Sequence, residues 1–143
     1  MDIKFANWDE INVGDKASHS KTITETDITL FAGISGDFNP LHVNDAYAQT
    51  TQFGRRVAHG GLSFSIISGL LGMKLPGPGT MHVSQKLDFR KPVFASDTLT
   101  ARAEVIEKFT KKEGTLKFLR IKTDVYNQDD ILVTEGEALV IIL

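Results

Sequence analysis

Residues 60–75 constrain this chain more than any other stretch. They read Gly-Gly-Leu-Ser-Phe-Ser-Ile-Ile-Ser-Gly-Leu-Leu-Gly-Met-Lys-Leu, apolar or small on nearly every side and without an ionised group before Lys74. A helix that lacks a charged face has to be covered all round. Sixteen residues fall short of the roughly 20 that cross a bilayer, and Pro76-Gly-Pro-Gly79 closes the segment. The stretch therefore predicts a helix buried inside the rest of the chain. The cover follows it: residues 80–94, 98–109, 115–126 and 131–143 are rich in β-branched side chains, with turns at Lys111-Lys-Glu-Gly114 and Asn127-Gln-Asp-Asp130. Leu119, Ile121, Thr123 and Val125 alternate with Arg120, Lys122 and Asp124, which gives those strands one covered face and one wetter face. The predicted class is α+β, an antiparallel sheet curled around a central buried helix.

The residues ahead of that helix are shorter-ranged in pattern. A run of β character spans 16–24, and Thr24-Glu-Thr-Asp27 has the form of a capping box with Asp in place of Glu, opening a short amphipathic helix that ends near Gly36. A second short helix is expected to begin at Asn44 and run through Asp45-Ala-Tyr-Ala-Gln, with a loop over 50–58. No repeat, low-complexity tract or linker interrupts the sequence, so the 143 residues are read as one domain.

Composition excludes several functions. A net charge of -2 gives no global attraction to nucleic acid or to an anionic membrane. Without cysteine there is no disulfide, thiolate nucleophile or cysteine-held metal. The four histidines, His19, His42, His59 and His82, lack the i, i+4 pairing of helical zinc motifs, so no metal is expected. His19 and His82 fall in predicted strands, as surface or interface residues. The first residues lack a basic segment followed by an apolar run, and the expected location is the cytoplasm.

Chemistry concentrates in two places. Ser35-Gly-Asp-Phe-Asn-Pro-Leu-His42 sets an acid, an amide and an imidazole around a proline. Pro40 has no amide hydrogen and biases Asn39 towards extended geometry, so 37–42 is expected to be a fixed loop holding two proton-transfer groups, Asp37 and His42. Alone, Asp37 would be read as a helix-exit acid; Asn39, Pro40 and His42 reverse that balance. The second place is Val57-Ala-His-Gly-Gly-Leu62, which leads into the buried helix. The first amide hydrogens of a helix have no intrahelical partner and stand at its positive end, so Gly60 offers a place for an oxygen gaining negative charge. A base, an acid and an oxyanion site are what adding water to an activated double bond requires. His59 is expected to be structural, hydrogen-bonding its loop.

Together, Ser35-Gly-Asp-Phe-Asn-Pro-Leu-His42 and, seventeen residues on, His59-Gly-Gly-Leu resemble the signature of the MaoC-like, (R)-specific enoyl-CoA hydratases, which have the hot-dog fold. The resemblance implies an acyl-CoA thioester substrate and no cofactor. It implies that Asp37 and His42 form the dyad that adds water to a trans-2-enoyl thioester, that the Gly60 amide binds the thioester oxygen, and that Asn39 fixes the dyad loop. Ser68 matches a serine beside the dyad, although a helix serine bonding back to its own turn is the equal reading. Leu62, with Arg55 and Arg56 beside the entrance, is expected to contact substrate, the arginines meeting the phosphates of coenzyme A. The departure is Gly61, where Met is frequent in the family, and it is expected to widen the space there. Exposed edges of a small sheet, and the habit of hot-dog proteins, imply a homodimer.

Three other functions compete with this one. His59-Gly-Gly has the look of an esterase oxyanion loop, but no Gly-x-Ser-x-Gly elbow follows. A hot-dog thioesterase would share fold and ligand, and a non-catalytic acyl-thioester binding module would have no use for an intact dyad.

Overall fold

The computed structural model describes residues 2–143. After a 3-10 turn at Trp8–Glu10, the elements are β1 (Lys16–Thr22), α1 (Glu25–Ser35), α2 (Pro40–Val43), α3 (Asp45–Gln49), α4 (Gly60–Met73), β2 (Thr80–Phe89), β3 (Thr98–Lys111), β4 (Leu116–Tyr126) and β5 (Leu132–Ile142). The strands form one sheet in the order β1-β3-β4-β5-β2, every neighbouring pair antiparallel. α4 packs on it with Leu62, Ile66, Ile67, Leu70 and Leu71, against Leu99, Ala101, Val105, Leu119, Ile121 and Val140. Each such side chain taken from water contributes about 1.5–3 kcal/mol, which is why an uncharged helix is stable here and nowhere on the surface. This is the α+β hot-dog arrangement that the sequence predicts.

Local signals set the helix ends. Thr24 Oγ1 accepts the Asp27 N–H at 3.1 Å while the Asp27 carboxylate accepts the Thr24 N–H at 2.8 Å, so the capping box closes in both directions. The Lys21 ammonium also reaches Asp27 and holds its carboxyl below the usual value. At the other end Gly36 takes φ 74° and returns its N–H to Ala32, a left-handed cap that glycine adopts without strain.

Three local expectations are corrected. The fixed loop over 37–42 is in part a helix, α2, because Pro40 occupies the first helical position, where its missing N–H costs nothing, and Asn39 caps it. The first long strand after α4 ends at Phe89, not at 94. Asp124, assigned to the wetter face, is buried: its Oδ1 accepts the Gly136 N–H at 3.2 Å and its Oδ2 lies 3.1 Å from Lys122 Nζ. His19 and His82 are half-buried, His19 against Gly69 of α4 and His82 bonded to Gln85 at 3.0 Å. The alternation is only partial because the register shifts at Val83 in β2 and at Ile106 in β3, and both bulged residues are exposed.

Candidate active site

Asp37 and His42 are brought together at the end of α1 and on α2. Within the turn between them, short-range bonds set the path of the chain. Asp37 Oδ1 accepts the Asn39 N–H at 3.1 Å, Asn39 Oδ1 accepts the Leu41 N–H at 3.0 Å, and the Asn39 carbonyl accepts the His42 N–H at 2.8 Å. The Asn39 side chain thus caps the turn that carries Asp37 and His42, and Ser35 Oγ accepts the Asp37 N–H at 3.1 Å. Asp37 Oδ2 stands 3.7 Å from His42 Nε2, longer than a hydrogen bond. A small oxygen nucleophile can therefore contact both.

The tautomer of His42 follows from its partner. Nδ1 lies 2.6 Å from the Val57 carbonyl, which can only accept, so Nδ1 carries the proton and Nε2 presents its lone pair towards Asp37. The side chain of Asp37 is 48% exposed and that of His42 only 13%, so the acid forms the rim and the imidazole the wall. Asp37, His42 and His59 are also the one group among the described residues whose metal-binding atoms lie within 4.8 Å of one another. His42 Nδ1 and His59 Nε2 are both committed to carbonyl oxygens, which leaves His42 Nε2, the unpartnered Nδ1 of His59 and the Asp37 carboxylate as the uncommitted lone pairs.

Gly60 is the first residue of α4. The Leu62 N–H turns back to the His59 carbonyl at 3.0 Å, and those of Gly60 and Gly61 meet no partner among the described residues. A Cβ on Gly60 would lie 2.9 Å from the tip of the exposed Phe89 ring and would push it aside, whereas glycine leaves the amide open to close approach. A cleft of about 440 Å³ runs from His42, His59 and Gly60 to Phe89, Arg90, Lys91 and Thr134. A wider depression of about 640 Å³ on the outer face of the sheet, between Lys16, Arg102, Glu104 and Tyr126, contains none of the dyad residues.

Other expected site residues are placed differently. Leu62 belongs to the core, 7% exposed. Ser68 is exposed on α4 and makes neither a dyad contact nor the bond to its own turn; eight residues beyond Gly60 carry it about 12 Å along the helix and roughly 80° around it. The serine that lines the cleft is Ser63, 2% exposed, and counting one helical turn from Gly60 would have found it. Arg56 is not free for a phosphate: its Nη2 takes both Glu25 oxygens at 2.8 and 2.7 Å and its Nε takes Asp45 at 2.6 Å. Donating to the Asp45 and Glu25 carboxylates raises its pKa further. Its Nη1 also reaches the His42 carbonyl at 3.4 Å, so Arg56 braces the dyad from behind. Arg55 is exposed, with its guanidinium 3.8 Å above the Phe94 ring. Lys91, which sequence reasoning passed over, is exposed at the cleft.

Gly61 does not open a space. A Cβ there would overlap the ring of Phe31, which already fills the volume. Gly61→Met is expected to cost about 1–3 kcal/mol by overpacking, and Phe31→Ala should relieve it. In urea unfolding of both single variants and the pair, a compensating coupling of about 1 kcal/mol is expected; simple additivity would mean that the two positions do not share the space.

Comparison with known proteins agrees with this geometry. Residues 9–127 match the family described as MaoC like domain. The chain is 45% identical over 141 residues to the (R)-specific enoyl-CoA hydratase of Rhodospirillum rubrum, covering 99% of this chain and 94% of that one. It is 41% identical over 130 residues to the (R)-specific enoyl-CoA hydratase of Aeromonas caviae, covering 91% and 94%. The unliganded R-hydratase PhaJ1 from Pseudomonas aeruginosa superimposes with a TM-score of 0.88 at 43% identity, over 96% of this chain and 86% of that one. This chain belongs to the MaoC-like domain family.

Proposed function

We propose that this protein is a hydro-lyase, an (R)-specific enoyl-CoA hydratase that adds water to trans-2-enoyl-CoA with short to medium acyl chains and runs the dehydration in reverse. The observation that carries the reading is the 3.7 Å gap between Asp37 Oδ2 and His42 Nε2, beside the unpartnered amides of Gly60 and Gly61 at the start of α4. The assignment of the (R) product rests on the named relatives.

In hydration one O–H bond of water breaks, oxygen bonds to C3, and the former C2=C3 π pair takes a proton at C2. The dyad therefore begins with one proton shared between its two members. The unprotonated group accepts the proton of water, the protonated group delivers its own to C2, and the pair has exchanged states at the end. Negative charge passing through the enolate falls on the thioester oxygen, which the Gly60 amide meets at the positive end of α4. Arg55 and Lys91 are the cations in reach of the coenzyme phosphates, with Arg56 reserved for its carboxylates. A homodimer belongs to the same reading. The free edge of β2 exposes Met81, Val83 and Phe89, and Ile34 and Phe38 are exposed around Asp37, surface that a second copy would cover. No helix among the described residues is long and apolar enough to cross a membrane, and the reading places the enzyme in the cytoplasm with the acyl-CoA pool.

The test is turnover of crotonyl-CoA, followed by loss of enoyl absorbance and chiral analysis of the product. The expected product is (R)-3-hydroxybutyryl-CoA. Release of free thiol would make the protein a thioesterase, and binding without turnover across short and longer acyl groups would make it an acyl-thioester binding module.

A further inference from the structure

His59 is 3% exposed and takes no part in the proton transfers above. Its ring lies face to face with His42, centroids 3.9 Å apart and planes tilted by 29°, and Phe31 closes its other approach at 4.7 Å. Nε2 lies 2.9 Å from the Asp37 carbonyl, an acceptor, so Nε2 carries the proton. Nδ1 is then a bare lone pair, and it is buried without a partner. Filling this volume needs only an apolar ring, which would avoid the desolvated nitrogen. The feature an apolar ring lacks is the Nε2–H bond to Asp37.

That bond has a counterpart two residues earlier. The Val57 carbonyl holds Nδ1 of His42 at 2.6 Å, while the His59 side chain holds the backbone of Asp37. One short segment, 57–59, therefore grips both members of the dyad from a single frame. The frame is itself anchored, since the Val57 N–H bonds to Leu41 and the Ala58 N–H to Val93 at 2.7 Å. We infer that His59 is a positioning residue that sets the separation of Asp37 and His42, its Nε2–H fixing the acid and its ring face fixing the imidazole. The inference rests on the hydratase reading for its kinetic consequence, but its structural content does not.

The experiment compares His59→Leu, which removes donor and ring, with His59→Gln, whose terminal amide donates from a similar reach. Both are measured beside the wild type by steady-state hydration of crotonyl-CoA and by long-range ¹H–¹⁵N spectra of the imidazoles. With the wild type active, His59→Leu is expected to lower kcat about 100-fold, the size of effect a displacement of about 1 Å produces, with KM within about threefold, and His59→Gln to recover most of the loss. The spectra should show His42 as a single Nδ1–H tautomer in the wild type and in His59→Gln, and mixed tautomers in His59→Leu. A Leu variant with wild-type kcat, or a Gln variant no better than Leu, overturns the inference. Should the wild type prove inactive on enoyl thioesters, the hydratase reading fails and the tautomer comparison decides the inference alone. If His59→Leu does not fold, the pair Gln and Asn takes its place, Asn being too short to reach the Asp37 carbonyl, and equal behaviour of the two overturns it.

Discussion

Asp37→Asn is expected to lower kcat for crotonyl-CoA hydration by about 10²–10⁴-fold, the contribution typical of a positioned acid or base, while the protein stays folded. The substitution is nearly isosteric and keeps an oxygen for the Asn39 N–H, so the turn from Asp37 to His42 is preserved. The carboxylate lies at the rim, half exposed, and its loss should change stability by no more than about 0.5 kcal/mol. What the amide cannot do is accept or deliver the proton that the dyad shares. Because the thioester oxygen is bound at Gly60 and not at Asp37, KM should move little. Steady-state kinetics with a urea titration of the same preparation separates the two effects. A folded variant within tenfold of wild type would remove Asp37 from the chemistry and leave His42 as the sole proton carrier.

Gly136→Ala should be the most damaging small substitution in the sheet, lowering unfolding free energy by about 3 kcal/mol, at the upper end of overpacking costs. A Cβ at Gly136 would stand 2.7 Å from both the carbonyl oxygen and Oγ1 of Thr123 and 2.9 Å from Gln85 Nε2. Thr123 is fully buried and holds Gln85 through its hydroxyl at 2.9 Å. The obstruction is therefore backbone inside a ladder, not a side-chain tip that can swing away, and the strain also reaches the Asp124 carboxylate bonded to the Gly136 N–H. For a chain of this length the melting temperature should fall by roughly 10 °C. Gly33→Ala in α1 is the matched control: nothing lies within 4 Å of its added methyl, and in a helix the change should stabilise by about 0.5–1 kcal/mol. Thermal and urea unfolding of the two variants should move in opposite directions, and an unchanged Gly136→Ala would show that β4 and β5 can separate at this point.

The parts of this structure that were legible in the sequence are those decided within a few residues. The capping box at Thr24, the uncharged run that became α4 and the turns at 112–114 and 127–130 all depend on neighbours in the chain. The dyad was legible for the same reason, since Asp37, Asn39, Pro40 and His42 form one turn. α2 was missed because Pro40 was weighed for what it does to the residue before it and not as a first helical residue capped by Asn39. Three further errors involve partners distant in the chain. Arg56 read as a free cation because Glu25 and Asp45 lie 31 and 11 residues away in the chain. Gly61 read as open space because Phe31, which fills it, comes from α1, thirty residues earlier in the chain. Asp124 read as solvated because the Gly136 N–H that it binds comes from the neighbouring strand, 12 residues on. Ser68 was chosen by resemblance where helical phase from Gly60 would have chosen Ser63.

The bulge at Val83 has a consequence for the protein at high concentration. β2 is an outer strand with apolar side chains on show, the kind of edge on which further chains can stack without limit. The bulge breaks its row of unpaired amides and carbonyls into two short runs with different twist. A strand from another molecule that stacks on this edge meets a break in the row at Val83, and a bulge there is one of the ways in which sheet edges resist open-ended stacking.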